Sequence, residues 1–438
     1  MLPRIDATAR FGMFGILLAA GCGAGAAPAK NPNYDEAAVR PYELPNVLAG
    51  PDGVAVDTAE QWRLSARPHH LGVLERHVYG RRLPPVPVRP VDVKREDVVL
   101  GGDVPAVRIQ AVLELRPHAD GDDSGPLIDV LLYLPRGTTG SPVFLALNFH
   151  GNQSLVSDPD VRITRSWIIN KADARVTDNR GSEASRGTQV RRWPVARMLT
   201  RGYGMATACC GDFYPDRQEG AAESAPGRLG LTVAGRLRPD EPGAIAVWAW
   251  GLSRILDWLV TLPEVDPSRV IVVGHSRLGK AALWSGGCDE RFAMVVSNDS
   301  GCGGAALSRR NFGEDVAAIT GKHPHWFCPA FASYAGRESD LPCDQHVLLA
   351  LAAPRPLYVA SASEDLWADP RGEFLAAVAA GPVWSLFGLT GLGAADFPEA
   401  DRSIGDRVGY HVRTGGHDLL EFDWERFADF ADRHLRPR

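Results

Sequence analysis

The chain has 438 residues, 45% of them hydrophobic and 23% charged, which is enough apolar content for a large folded core. The formal net charge of −6 excludes a general nucleic-acid footprint, so any preference for anions has to be local. The length allows two or three domains, or one elaborated α/β domain.

The first 26 residues read as a targeting segment. Arg4 and Arg10 precede an apolar run, Phe11 to Ala20, that is too short to span a bilayer. Small residues follow. Leu18-Ala19-Ala20-Gly21-Cys22 resembles a bacterial lipoprotein box, which would make Cys22 a lipid anchor, although Ala19 stands where leucine is usual. Cleavage after Ala26 is an equal alternative, and an uncleaved apolar helix is a third. The expected location is therefore exported: periplasmic, outer-membrane-anchored or secreted. Residues 27–90 are rich in proline and alanine, with helical signals at Asp57 to Leu64 and Leu71 to Val78. They are expected to wrap the catalytic domain, 91–438, as an N-terminal extension.

Two short β-like runs lie within Val91 to Arg108. Leu127 to Leu134 and Val143 to Phe149 read as strands, the second buried and ending in His150-Gly151-Asn152. Residues 153–192 are polar and aperiodic, and predict a surface insertion. A helix is expected at Trp193 to Leu199, a strand at Gly204 to Cys210, and a long helix from Ile245 to Leu262, stopped by Pro263. Strands follow at Val270 to Val273, Phe292 to Ser297, Arg355 to Ala360 and Val408 to Arg413, and a terminal helix at Trp424 to Leu435. Strands alternating with helices predict an α/β fold built on a three-layer, doubly wound and mostly parallel sheet.

The run Ile271-Val272-Val273-Gly274-His275-Ser276-Arg277-Leu278-Gly279-Lys280 is the most informative in the chain. An apolar β-branched run stops at a glycine, a serine follows, and a helix-compatible segment begins. This is the layout of a strand, a sharp turn carrying a nucleophile, and a helix. The usual elbow is G-x-S-x-G; here the second glycine, Gly279, falls one place late. Arg277 and Lys280 occupy the first helical turn, where cations are disfavoured by the helix dipole. They are i, i+3 neighbours. Their presence points to an anion clamp or oxyanion donor, or to partners for internal carboxylates such as Glu314 or Asp365.

An open α/β sheet carries its reactive groups at the carboxyl ends of its strands. Ser276, Asp299, Glu364 with Asp365, and His417 all fall there. The order serine, acid, histidine is that of the α/β-hydrolases. Ser276 is either the nucleophile or a helix N-cap. His417, after Gly415-Gly416, is either its base or a capping loop residue. The acid is open between Asp299 and Asp365. Trp326 and Trp367 flank the acids and would either stack on a sugar ring or pack in the core. No CxxC pair suggests zinc, and His323-Pro324-His325 lacks accompanying carboxylate spacing. No metal and no cofactor are expected. Cys288 with Cys302, and Cys328 with Cys343, are plausible disulfide pairs by proximity. Cys209 and Cys210 read as buried small residues.

The segment Gly274 to Lys280 resembles the G-x-S-R-x-G-K signature of the glucuronoyl esterases, carbohydrate esterase family 15, of bacterial type. The resemblance extends over about residues 75–435. It takes in Leu147 to Asn152, the segment from Trp193 to Asp216, Asn298 to Gly304, His325 to Pro329, Asp344 to His346, Ser363 to Pro370 and Gly416 to Asp418. It implies a serine esterase that cleaves the ester between 4-O-methyl-glucuronic acid on glucuronoxylan and an alcohol of lignin. By motif position Ser276 is nucleophile, His417 base and Arg277 part of the oxyanion hole. Lys280, Glu314 and Trp367 would contact the sugar. Asp299 matches a place where the family often has glutamate, and its shorter side chain shifts weight to Asp365, which matches the alternative acid of bacterial members. His275 stands where fungal-like members carry cysteine, so no disulfide forms beside the nucleophile. The alternatives are an acetyl or feruloyl xylan esterase on the same scaffold, and a catalytically silent carbohydrate-binding surface lipoprotein. A monomer without nucleic-acid partners is expected.

Overall fold

The computed structural model describes residues 31–117, 124–233, 235 and 238–435. The leader and Cys22 lie outside the described residues. Among those described, ten strands join one sheet. They are β1 (Val88–Leu100), β2 (Val104–Leu115), β3 (Leu127–Pro135), β4 (Ser141–Asn148), β5 (Gly204–Cys209), β6 (Val265–His275), β7 (Met294–Asn298), β8 (Leu357–Ala362), β9 (Ile404–Gly405) and β10 (Val408–Arg413). Their order is β1-β2-β3-β5-β4-β6-β7-β8-β10-β9. From β5 to β10 neighbouring strands run parallel; β1, β2, β3 and β9 pair antiparallel at the two edges.

The central strands are apolar throughout because both sheet faces are covered. In β4, Val143, Leu145 and Leu147 enter one core, while Phe144 and Ala146 enter the other. In β6, Val270 and Val272 oppose Ile271 and Val273 in the same way. The period of two places successive side chains on opposite faces. Helices Ala244–Leu259, Arg277–Cys288, Gln345–Ala350 and Pro370–Ala380 cover the first face. Helices Val195–Thr200 and Glu421–Leu435 cover the second through Met198, Leu199, Trp424, Phe427 and Phe430.

Helical turns run from 59 to 79 and join the first core through Trp62, Leu74, Val78 and Tyr79. Tyr79 stacks on Trp284 of the helix Arg277–Cys288 at 4.5 Å, and its hydroxyl donates to the Gly303 carbonyl at 3.0 Å. Gly80 is required there: at φ 96° its Cβ would lie 2.5 Å from the Pro242 backbone.

Two expectations are corrected and a third is refined. The two short runs near residues 91–108 are one long antiparallel ribbon, β1 paired with β2 along nearly its whole length. The exposed β1 carries Asp92, Lys94, Arg95, Glu96 and Asp97, which blur the apolar alternation and discourage further pairing at the sheet edge. Residues 153–192 are irregular and mostly exposed or half-buried, a surface insertion as expected, but one pinned by buried groups. Gln153 is fully buried, donates to His150 O and Ser185 Oγ, and accepts from Thr164 N. The expected disulfides do not form among the described residues: Cys288, Cys302, Cys328 and Cys343 all carry thiols, as do Cys209 and Cys210, and Cys302, Cys328 and Cys343 serve as small apolar groups of the first core.

Candidate active site

Strand β6 ends at His275, and Ser276 turns the chain into the helix Arg277–Cys288. Its backbone stands at φ 58°, ψ −132°, a conformation that L-residues avoid. Hydrogen bonds to the amide and carbonyl of Ser276 hold it: Ser276 N donates to Asn298 O at 2.9 Å, and Ser276 O accepts from Gly279 N at 2.8 Å. The Ser276 side chain makes no capping bond, so the helix-cap alternative falls away.

The displaced glycine of the elbow has a geometric reason. A Cβ on Gly274 would lie 2.0 Å from the Leu278 carbonyl oxygen, so the first glycine meets the backbone at 278 and places no demand on that side chain. The Leu278 side chain is free to enter the core. At 279 a Cβ would press on Ser300, Gly274 and Asn298 at 3.0–3.2 Å, so the small residue is needed there instead.

His417 follows Gly415 and Gly416 after β10, and its Nδ1 lies 2.6 Å from Asp365 Oδ2. Its side chain is 43% exposed and that of Asp365 only 6%. The loops after β8 and β10 are tied together by Ser363 N to Arg413 O at 2.8 Å and Glu364 N to Gly415 O at 2.9 Å. Asp299, after β7, is also close: ligand atoms of Asp299, Asp365 and His417 all lie within 4.8 Å of one another. Asp299 makes no hydrogen bond to the imidazole, and its Oδ1 is buried without a partner among the described residues. Its Oδ2 accepts from Asp418 N at 3.3 Å and lies 3.6 Å from Arg413 Nη2. Burial pushes its carboxyl well above the ordinary value, and the nearby carboxylates of Glu373 and Asp365 add to the rise.

Sequence reading missed the supports. Arg413 pairs with Asp423 at 3.1 Å and donates to Gly416 O at 3.1 Å and Asp418 O at 2.8 Å, bracketing His417. Glu373 is buried and accepts from Ser300 N at 2.8 Å, Gly301 N at 2.9 Å and Ser361 Oγ at 2.5 Å. It joins the loop after Asp299 to β8, whose end leads to Asp365. Burial raises its carboxyl to about 7. Neither residue belongs to a motif; each is brought in from a separate element by the sheet.

The two cations of the first helical turn are both paired. Arg277 Nε lies 2.7 Å from Asp216 Oδ2, and Lys280 Nζ lies 4.0 Å from Glu314 Oε2 while donating to Ser300 O. Lys280 and Glu314 are both nearly enclosed. Burial raises the Glu314 carboxyl, and Lys280 partly offsets this. Glu314 N donates to Trp367 O at 2.9 Å. The two tryptophans separate: Trp367 is 37% exposed and free to stack on a ligand, whereas Trp326 is 7% exposed and packs against Arg277 and His323. His325 Nε2 meets Asp216 Oδ1 at 2.8 Å.

This arrangement can carry out acyl transfer: a strained serine, a half-exposed imidazole, a buried carboxylate on its far nitrogen, and a guanidinium at the adjacent helix start. A family model described as "Glucuronyl esterase, fungi" matches residues 238–388. A prokaryotic carbohydrate esterase designated MZ0003, from an unknown organism, is 42% identical over 410 residues, covering 92% of each chain. A 4-O-methyl-glucuronoyl methylesterase of Hypocrea jecorina is 35% identical over 158 residues, 34% of this chain. Among solved structures, a promiscuous CE15 esterase from a marine bacterial metagenome superposes with TM-score 0.85 at 41% identity, over 92% of this chain and all of that one. The glucuronoyl esterase of Solibacter usitatus superposes with TM-score 0.81 at 40% identity, over 91% of this chain and all of that one.

Proposed function

The chain belongs to the glucuronoyl esterases of carbohydrate esterase family 15 and has their α/β-hydrolase fold, and from that premise we propose how its own residues cleave a uronate ester. The enzyme is a carboxylic ester hydrolase, and the substrate we assign is the ester between 4-O-methyl-glucuronic acid of glucuronoxylan and a lignin alcohol. Ser276 Oγ attacks the uronoyl carbonyl while His417 takes its proton. Asp365 orients the imidazole and stabilises its cation. The free amides at the helix start and the Arg277 guanidinium stabilise the oxyanion. His417 then protonates the departing alcohol, the acyl–Ser276 ester remains, and water activated by His417 releases the uronate. Lys280, Glu314 and Trp367 hold the sugar.

One observation supports this above others: the 2.6 Å contact of His417 with Asp365, formed from two strand ends, on a ring that lies 4.7 Å from that of His275, the residue before a serine whose backbone is strained and whose side chain caps nothing. The experiment compares methyl and benzyl glucuronate with acetylated xylose and methyl ferulate as substrates. Wild type should prefer the glucuronate esters, and Ser276→Ala should lower that rate by at least about 10⁴-fold. Faster turnover of acetate or ferulate esters would favour the alternative esterase. Unchanged hydrolysis in Ser276→Ala would overturn Ser276 as the nucleophile, and no hydrolysis of any of these esters by wild type would leave only the binding-protein reading. Export is inferred from the leader sequence; among the described residues no helix is long and apolar enough to cross a membrane.

A further inference from the structure

The substrate of this reaction is neutral at its reacting carbon, and the product is a carboxylate at that same carbon. An unpaired arginine beside the nucleophile would hold the product more firmly than the substrate, since unit charges about 4 Å apart attract strongly even in a partly polar medium. A site that binds product better than substrate loses turnover.

Arg277 is not left unpaired. Asp216, on the loop after β5, meets its Nε at 2.7 Å. The other oxygen of Asp216 accepts from Trp326 Nε1 at 2.7 Å and faces His325 Nε2 at 2.8 Å. The carboxylate is thus fixed from a second, distant segment. The guanidinium lies over the Phe149 ring at 4.4 Å and the Trp326 ring at 5.7 Å, and His323 stacks on Trp326 at 3.7 Å with the planes 6° apart. Aromatic faces pack on the cation, while the carboxylate lies beside it as an ionic partner without an aligned hydrogen bond. Burial opposes a charged Asp216, but Arg277 and the ring donors outweigh it and hold the carboxyl at about 2. The shortest contact of the ion pair is at Nε, on the stem side of the guanidinium, in a side chain that is 20% exposed. A carboxylate held there offsets the net charge of the cation.

We propose that Asp216 is a specificity-determining residue that holds the Arg277 guanidinium in place and cancels its net charge, so that the site favours the neutral uronoyl ester over the uronate anion it releases. This rests on the esterase reading above. Asp216 acts through Arg277 and is a positioning residue, not a catalytic one.

The test uses methyl glucuronate hydrolysis, with sodium glucuronate and the neutral glucuronamide as competing ligands. In Asp216→Asn the inhibition constant for glucuronate should fall about tenfold, with that for glucuronamide changing less than about twofold. The difference should shrink as NaCl is raised to about 0.5 M. In the Asp216→Asn, Arg277→Gln double variant the ratio of the two constants should return to about its wild-type value. An unchanged ratio in Asp216→Asn, or an equal shift for both ligands, overturns the proposal. If Asp216→Asn does not fold, Arg277→Gln decides: the lone Asp216 charge must weaken glucuronate relative to glucuronamide by about tenfold, and an unchanged ratio overturns the proposal equally. Absence of glucuronate-ester hydrolysis in wild type would instead sink the functional reading on which this one stands.

Discussion

At the residue scale, two carboxylates stand near one imidazole and only one of them bonds to it. Asp365 is 2.6 Å from His417 Nδ1, whereas Asp299 spends its oxygen on the Asp418 amide. Burial also raises the Asp299 carboxyl well above its ordinary value, and the Glu373 and Asp365 carboxylates add to the rise. An amide matches a carboxyl closely in size and keeps an acceptor oxygen for the Asp418 amide. Asp299→Asn should therefore keep kcat within about tenfold, whereas Asp365→Asn should lower it by about 10³–10⁴-fold, as when the orienting acid of a triad is lost. Steady-state kinetics on methyl glucuronate measures both. Equal losses would mean that the two carboxylates share the role.

At the element scale, the elbow depends on close backbone approach. The Gly274 position allows no Cβ, because the Leu278 carbonyl lies 2.0 Å from where it would sit. Gly279 is tight but less so, with its nearest contact, at 3.0 Å, the Ser300 side chain. Gly274→Ala must push the strand away from the helix start, and should destabilise the protein by about 3 kcal/mol and remove most activity. Gly279→Ala should cost about 1 kcal/mol and leave substantial activity. Thermal unfolding and esterase assays on the two variants compare them, and a reversed order would refute this account of the displaced glycine. The same contacts explain why the G-x-S-x-G pattern was imperfect in sequence: the spacing follows which backbone atoms touch, and that depends on how the helix leaves the strand.

At the scale of the whole molecule, the carboxyl ends of β7, β8 and β10 gather Asp299, Asp365, Glu373 and Asp423 around few cations. Glu373, raised mainly by burial, titrates near about 7 in the fold against an ordinary value of 4.5. Between those pH values the fold keeps a proton that the unfolded chain has released, so stability from this group is present at low pH and is lost as pH rises through about 7. Gln at 373 cannot ionise. Relative to wild type, Glu373→Gln should therefore be destabilised at pH 5 and recover by about 2 °C in Tm at pH 8. A Tm difference that widens with pH would show that Glu373 is stabilised in its charged form.

Much of this protein is determined by sequence alone because it follows from local chemistry. The β-branched runs of β4, β6 and β8 carry the strands, Gly274 followed by Ser276 carries the turn, and the order of serine, acid and histidine at strand ends carries the superfamily. What only the tertiary structure decided are contacts between segments far apart in the chain. The contact of His417 with Asp365 rather than Asp299, the pairing of Arg277 with Asp216, the bracket of Arg413 around His417 and the absence of disulfides among the described cysteines all depend on where the sheet brings separate loops. No periodicity reports such distances. A charged residue looks the same in sequence whether water or a buried partner neutralises it, and only the packed structure distinguishes the two.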